Sequence, residues 1–252
     1  MTRALWLELV LLTALAVLAA ASVPLYVGTW EWSFDGLNHH VYLGYIAEHP
    51  RWELDVVAAS AQSWQYPYLY WPVYRLSQLD IGGVAAGALW SAFLAVTLMP
   101  PLWVLSWRLL RDEAQARWQS VCERAAACAL AAGSVLVLSA LNTTANDPLA
   151  TVPLLWALAL MSAPRTSDTT AACAAALWGV SVAFKLSHLL AFPLLAVWWW
   201  SDSRPHLNWR RGAAIALATV VGFALAYAPW GWQLWRQTGS AFYPLLPGSP
   251  AP

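Results

Sequence analysis

Charge is what this chain has least of. Only 10% of its 252 residues are charged, against 60% that are hydrophobic, whereas a soluble globular chain carries about 25% charged residues. That shortage excludes a water-soluble domain, because so many uninterrupted apolar runs could not all be hidden in one core. The charges that are present cancel, with 13 basic and 13 acidic residues, so no net field draws nucleic acid or an acidic partner to the surface. Cysteine is scarce as well. Cys122, Cys128 and Cys173 lie in or beside apolar segments without metal-ligand spacing, and read as small packing residues. Tryptophan is the exception. There are 19, many at the ends of apolar runs, where an amphipathic ring prefers the headgroup level of a bilayer.

These features predict an all-α, polytopic membrane protein of about seven spans. Residues 5–27 form the first apolar run, with Arg3 ahead of it and only Glu8 inside it, long enough to cross a hydrocarbon core of about 30 Å. Ala19-Ala20-Ala21-Ser22 would suit cleavage of a leader peptide, but the run exceeds a usual leader's apolar stretch, which favours a retained span. Residues 28–80 are predicted as an outer loop with interfacial helices. Six further spans fall within 82–230, and 231–252 form an outer tail. The second span, 82–107, is expected to kink or end early at Pro100-Pro101. The third covers 121–141 and the fourth 149–163. The stretch 169–200 is split into two short helices near Lys185, because an unpaired lysine at mid-bilayer is expensive; one long tilted helix is the rival reading. The last span covers 212–230.

Charge placement sets the orientation. With a cytoplasmic N-terminus, the inner side receives Arg3, Arg108, Arg111, Arg117, Arg124, Arg165, Arg204, Arg210 and Arg211. Arg51, Arg75, Lys185 and Arg236 remain outside with the C-terminus, which satisfies the positive-inside rule. The same assignment puts Glu31, Asp35, Glu48, Glu53, Asp55, Asp80 and Asp147 outside. The reaction face is therefore expected to be extracytoplasmic.

The stretch from Trp30 to Pro72 is polar, aromatic and acidic at once, and it concentrates the residue types able to do acid, base or phosphate chemistry. Asp35-Gly36 predicts the start of an amphipathic helix with Asp35 as its cap, carrying Val41, Tyr42, Tyr45 and Ile46 on one face until His49-Pro50 stops it. A second short helix is expected over 56–64, and Tyr66 to Pro72 returns the chain to the bilayer surface. His39 and His40 would diverge by about 100° on a helix, so at most one is expected to face a site, which argues against a metal-binding pair.

A first span followed by an outer loop with an early Asp in Asp35-Gly36-Leu37-Asn38-His39-His40-Val41-Tyr42 resembles the polytopic C-type (GT-C) glycosyltransferase superfamily, which includes polyprenyl-phosphate-sugar-dependent mannosyl- and arabinosyltransferases. Asn146-Asp147-Pro148 opening a span agrees with it, as do Gly179 through Lys185-Leu186-Ser187-His188 with Pro193, and Gly239-Ser240-Ala241-Phe242-Tyr243-Pro244. The resemblance implies transfer of a sugar from a lipid-linked donor to an envelope acceptor at the outer face of a bacterial inner membrane, with Asp35 at the catalytic centre. A carboxylate there would accept the proton of the attacking hydroxyl. Lys185 is the first choice to stabilise the leaving phosphate, followed by Arg51, Arg75 and His188. Asp147 and Glu31 would assist, and some relatives use a divalent metal at the phosphate, although no residues here have firm metal-ligand spacing.

Each residue also has a plainer reading: Asp35 as a helix cap, Lys185 as a snorkelling side chain, and Asp147 as a helix-start residue beside Pro148. Superfamily members usually have more spans, so the chain is expected to be either a short or truncated member, with the acceptor half of the site missing or supplied by a partner membrane subunit, or a protein that shares the architecture without the activity. The expected partners are a lipid-linked sugar donor and membrane lipids, and no nucleic acid. The alternatives are a non-catalytic membrane protein that binds lipid-linked glycan or assists a larger transferase, and a transporter. The few ionisable residues at mid-span weigh against transport.

Overall fold

Thr2 opens the first helix, its hydroxyl accepting a hydrogen bond from the Leu5 N–H, and α1 (Arg3–Val27) runs until Gly28 turns left-handed at φ 81°. The structure is a computed structural model that describes residues 2–30, 33–55, 58–110, 116–163, 166–202 and 208–248. Only Ala20 and Pro24 of α1 are buried, while Leu7, Leu11, Leu15 and Leu18 face outward. A helix with every backbone group satisfied and an apolar exterior is suited to hydrocarbon as solvent. Among the described residues, three helices are long and apolar enough to cross a membrane: α1, α4 (Gly83–Leu109) and α10 (Trp209–Thr238). All described secondary structure is helical.

The loop between α1 and α4 folds onto the bundle through a π-helical turn (Gly36–His40), α2 (Val41–Ile46), a 3-10 turn (Ser60–Trp64) and α3 (Trp71–Ser77). Asp35 is not the cap expected from the sequence. It already has helical dihedrals and makes no capping bond; Ser33 takes that role, its hydroxyl accepting from the Gly36 N–H at 3.1 Å. Leu43, Ile46 and Tyr70 pack against Trp230 and Leu234 of α10, while Val73 joins Trp30, Ala86, Trp90 and Leu94. Leu43 and Val73 are fully buried, each contributing about 1.5–3 kcal/mol. The expected 56–64 helix appears as the shorter 3-10 turn, and residues 56–57 lie outside the described residues.

Helix α4 packs along α1 and does not end at Pro100-Pro101. Met99, Pro101 and Trp103 are buried, with Met99 and Trp103 packed against Leu5, Leu9 and Leu12 of α1, so packing against a neighbouring helix carries α4 past the missing N–H groups. The expected third span is broken instead: α5 (Arg117–Ala132) and α6 (Val135–Ala140) are separated by Gly133 and Ser134, with Ser134 extended at ψ 150°. Glycine is a weak helix former, and serine favours the position just before a helix.

After α6 come α7 (Asp147–Met161), with Pro148 in its first turn, and α8 (Asp168–Phe184), capped by Ser167. Helix α8 stops at Lys185, whose backbone is extended; a 3-10 turn (Leu186–Ala191) and α9 (Phe192–Asp202) follow. The chain therefore does break at Lys185. Helix α10 outlasts the expected 212–230 span, its ladder continuing to Gly239 at φ 74°. Helices α8 and α10 approach closely at reciprocal glycines: a Cβ at Gly179 would strike the Thr219 carbonyl, and one at Gly222 the Ala176 carbonyl. Beside this crossing, Trp178 is fully buried among Ala171, Ala174, Ala175 and Ile215.

Candidate functional site

The π-helical turn, the start of α7, the break at Lys185 and the segment after α10 meet around a cavity of about 600 Å³. Asp35, His39 and His40 form one wall, Asn146 and Asp147 a second, and Lys185 with Ser187 a third; Tyr66, Tyr70, Tyr227, Phe242 and Tyr243 supply aromatic surface between them. Trp64 ties loop to tail, stacking on Trp52 at 5.1 Å and meeting Tyr243 edge-on at 4.9 Å. The Trp230 indole N–H donates to the Trp64 carbonyl at 3.2 Å, fixing that corner to α10.

Three of the residues singled out by sequence share this cavity. Asp35 reaches it with a side chain that is 59% exposed, so its carboxylate is open to a ligand. Lys185 and Asp147 form an ion pair across the wall. Both are part-exposed, so the pair itself adds little stability. An ammonium has three donors, and those not engaged by Asp147 remain for an anion. His40 lines the same cavity as Asp35 and Lys185, so the acid and the cation face a common space.

The histidines depart from expectation. Both line the cavity, with ring centroids 4.4 Å apart in an edge-to-face arrangement. The two rings stand edge to face rather than side by side, and partners from other segments, Thr144 and Tyr70, hold His40 beside the cavity. His40 is an anchor. Its Nδ1 shares a 2.7 Å hydrogen bond with the Thr144 hydroxyl, its ring stacks on Tyr70 at 4.7 Å, and burial pushes its pKa down to about 4. His39 is also lowered, first by burial, but its Nδ1 has no hydrogen-bond partner. Burial likewise raises Tyr66 and Tyr70 to about 12, while a hydrogen bond with the Asn146 side chain partly opposes the shift at Tyr70. These rings are neutral surfaces for stacking, not bases.

The remaining expected residues are elsewhere. Arg51 pairs with Asp55, Nη2 to Oδ1 at 3.0 Å and Nε to Oδ2 at 3.3 Å, and lies over Tyr45 at 5.0 Å. Arg75 donates from Nε to Glu48 at 2.6 Å and stacks over Trp71 at 5.6 Å. Each guanidinium is held by a carboxylate of its own surface, which keeps it from the cavity. His188 is turned to α8, its Nδ1 sharing a 2.5 Å hydrogen bond with the Ser181 hydroxyl. Glu31 lies outside the described residues. Sequence reasoning gave no site role to Asn146, beside Asp147, or to the Trp64 corner. Among the described residues, no group of three His, Cys, Asp or Glu side chains is arranged to hold a metal ion.

What the arrangement can do follows from its parts. It presents a carboxylate able to take a proton, a cation able to balance an anion, and aromatic faces able to stack on rings, all in a space open at one end of an apolar bundle. No protein-family model, characterised protein or solved structure matches this chain.

Proposed function

We propose that this protein is a membrane glycosyltransferase of the C-type kind, moving a sugar from a polyprenyl-phosphate donor to an envelope acceptor at the extracytoplasmic face. One observation carries the reading: the Asp35 carboxylate and the Lys185–Asp147 pair line a single cavity at the end of an apolar helical bundle. In the reaction the acceptor oxygen bonds to the anomeric carbon as the bond from that carbon to the phosphate oxygen breaks. The bonding pair leaves on the phosphate, and the hydroxyl proton passes to Asp35. Lys185 balances the charge gathering on the phosphate, and Asp147 holds its ammonium in place. A divalent metal at the phosphate would add to the same charge balance.

The reading carries seven traverses with a cytoplasmic N-terminus and an outer C-terminus. In it, α5 with α6 forms the third traverse, and the 3-10 turn with α9 the sixth. The meeting of residues 33–40, 146–147, 184–187 and 242–245 at one cavity supports it, because alternate ends of successive traverses must share a side. A bacterial inner membrane and a partner subunit belong to the same proposal.

The predominance of aromatic rings over ionisable groups on the cavity walls favours a second reading, a non-catalytic protein that binds lipid-linked glycan. Purified protein in detergent, supplied with radiolabelled polyprenyl-phosphate sugars and an envelope extract as acceptor, separates the two. Labelled product supports the transferase, whereas saturable donor binding without product supports the binding protein. Neither binding nor product removes both.

A further inference from the structure

His39 is a cavity residue whose chemistry the proposed reaction leaves unused. It is 95% removed from solvent, at 5% relative exposure, it lines the cavity, and its Nδ1 is buried without a partner. Leaving a buried polar atom unpaired is costly, so its persistence here needs a reason. Its neighbour His40 shows the contrast, with Nδ1 satisfied by Thr144.

The nearest acid is informative. Asp35 Oδ1 lies 3.8 Å from His39 Nδ1, beyond hydrogen-bond range. Burial lowers the tendency of His39 to protonate, so the contact is between a carboxylate and a neutral imidazole rather than a settled ion pair. A gap of 3.8 Å is too wide for a direct bond, and one oxygen set off the line between the two atoms would reach both at about 2.8 Å once the exposed Asp35 side chain moves aside to uncover Nδ1. A hydroxyl satisfies both sides: its proton points to the carboxylate, and its oxygen accepts from an Nδ1–H.

We propose that Asp35 and His39 together grip one hydroxyl of a polyhydroxylated ligand, His39 holding the oxygen while Asp35 receives its proton. The juxtaposition arises from the turn itself, since the two residues are four apart in the helical segment that contains the π-helical register. The inference rests on the glycosyltransferase reading for the identity of the hydroxyl as the acceptor's nucleophile. It stands without that reading as a statement about which chemical group the site holds.

The test uses full-length protein with selectively 15N-labelled histidine, purified in a detergent without hydroxyl groups. It is titrated with octyl hexosides and polyprenyl-phosphate hexoses while the His39 ring nitrogens are followed by NMR, and transfer is assayed in parallel. The expected result is a saturable shift at His39 Nδ1 with at least one sugar-bearing probe. His39→Phe should weaken that probe about ten-fold, the loss of one buried hydrogen bond. His39→Asn, whose amide nitrogen lies near the Nδ1 position, should restore most of the affinity. Thermal unfolding of both variants separates loss of the grip from loss of fold.

A saturable response to sugars without transfer from any donor would remove the transferase and keep the hydroxyl grip. Transfer that continues in His39→Phe at the wild-type acceptor KM would keep the transferase and overturn the grip. A His39 signal that no probe moves also overturns the grip.

Discussion

Removing either partner of the Glu8–Arg124 pair is expected to destabilise the fold severely, whereas removing both is not. Arg124 donates to Glu8 through Nε and Nη2, each at 2.7 Å, and the Trp103 indole adds a third bond at 2.9 Å. The two side chains are 7% and 9% exposed, and Met99, Trp103, Cys128 and Leu5 form the apolar cluster around them. Arg124→Met strands a buried carboxylate with one remaining donor, and Glu8→Met strands a guanidinium; each should cost about 3–5 kcal/mol. The Glu8→Met/Arg124→Met double variant replaces charge by packing and should fall near wild type or up to about 1–4 kcal/mol above it. Reversible unfolding in mixed micelles, read as a double-mutant cycle, gives all three values. At about 1.4 kcal/mol per decade, each single change should shift the unfolding equilibrium a hundred-fold or more. Additive costs, or a single variant that loses under about 1 kcal/mol, would refute the reasoning. Glu8 sits some twenty residues, roughly 30 Å of helix, from the cavity end of α1, so the double variant should leave the site intact.

Three further outcomes follow from the same geometry. Gly179→Leu and Gly222→Leu should abolish folded expression, and the alanine variants should cost about 1–3 kcal/mol each, because the new Cβ meets a backbone carbonyl that cannot step aside; size-exclusion chromatography and thermal unfolding read both. The folded-state pKa of His40, about 4, lies below its unfolded value of 6.5, so the unfolded chain binds the proton more tightly. Its contribution to stability should be complete above pH 6.5 and be lost as pH falls toward 4 in an unfolding series, with Thr144→Val lowering the whole curve by about 1–3 kcal/mol. Cysteines at Gln62 and Ala145 should react with an impermeant thiol reagent from the same side of sealed vesicles, and one at Ser167 from the other. Reaction of all three from one side would contradict the alternation of traverses.

Much of the site could be read from residue type alone. An acid after the first apolar run, an Asp before a helix-opening proline and a lysine interrupting a long apolar stretch are costly in a membrane unless they meet, and Asp35, Asp147 and Lys185 do share a cavity. The break at Lys185 follows from the same cost. What sequence could not reveal depended on partners distant in the chain or on register. Arg51 and Arg75 were expected at the site as outward cations, but nearby carboxylates hold them. That both His39 and His40 reach the cavity depends on walls built from distant segments, among them Thr144 and Tyr70 around His40. Pro100-Pro101 read as a kink or an early end, because the packing against α1 that carries the helix through cannot be seen locally. Gly133-Ser134, inside an otherwise apolar run, was the available signal for the break between α5 and α6.

The most direct test of the central claim is sugar transfer by wild type, Asp35→Asn and Lys185→Ala, measured side by side with the radiolabelled lipid-phosphate sugar that binds wild type best. The account predicts product from wild type, none from Asp35→Asn at unchanged donor affinity and thermal stability, and weakened donor binding in Lys185→Ala. Product formed by Asp35→Asn at the wild-type rate would contradict it.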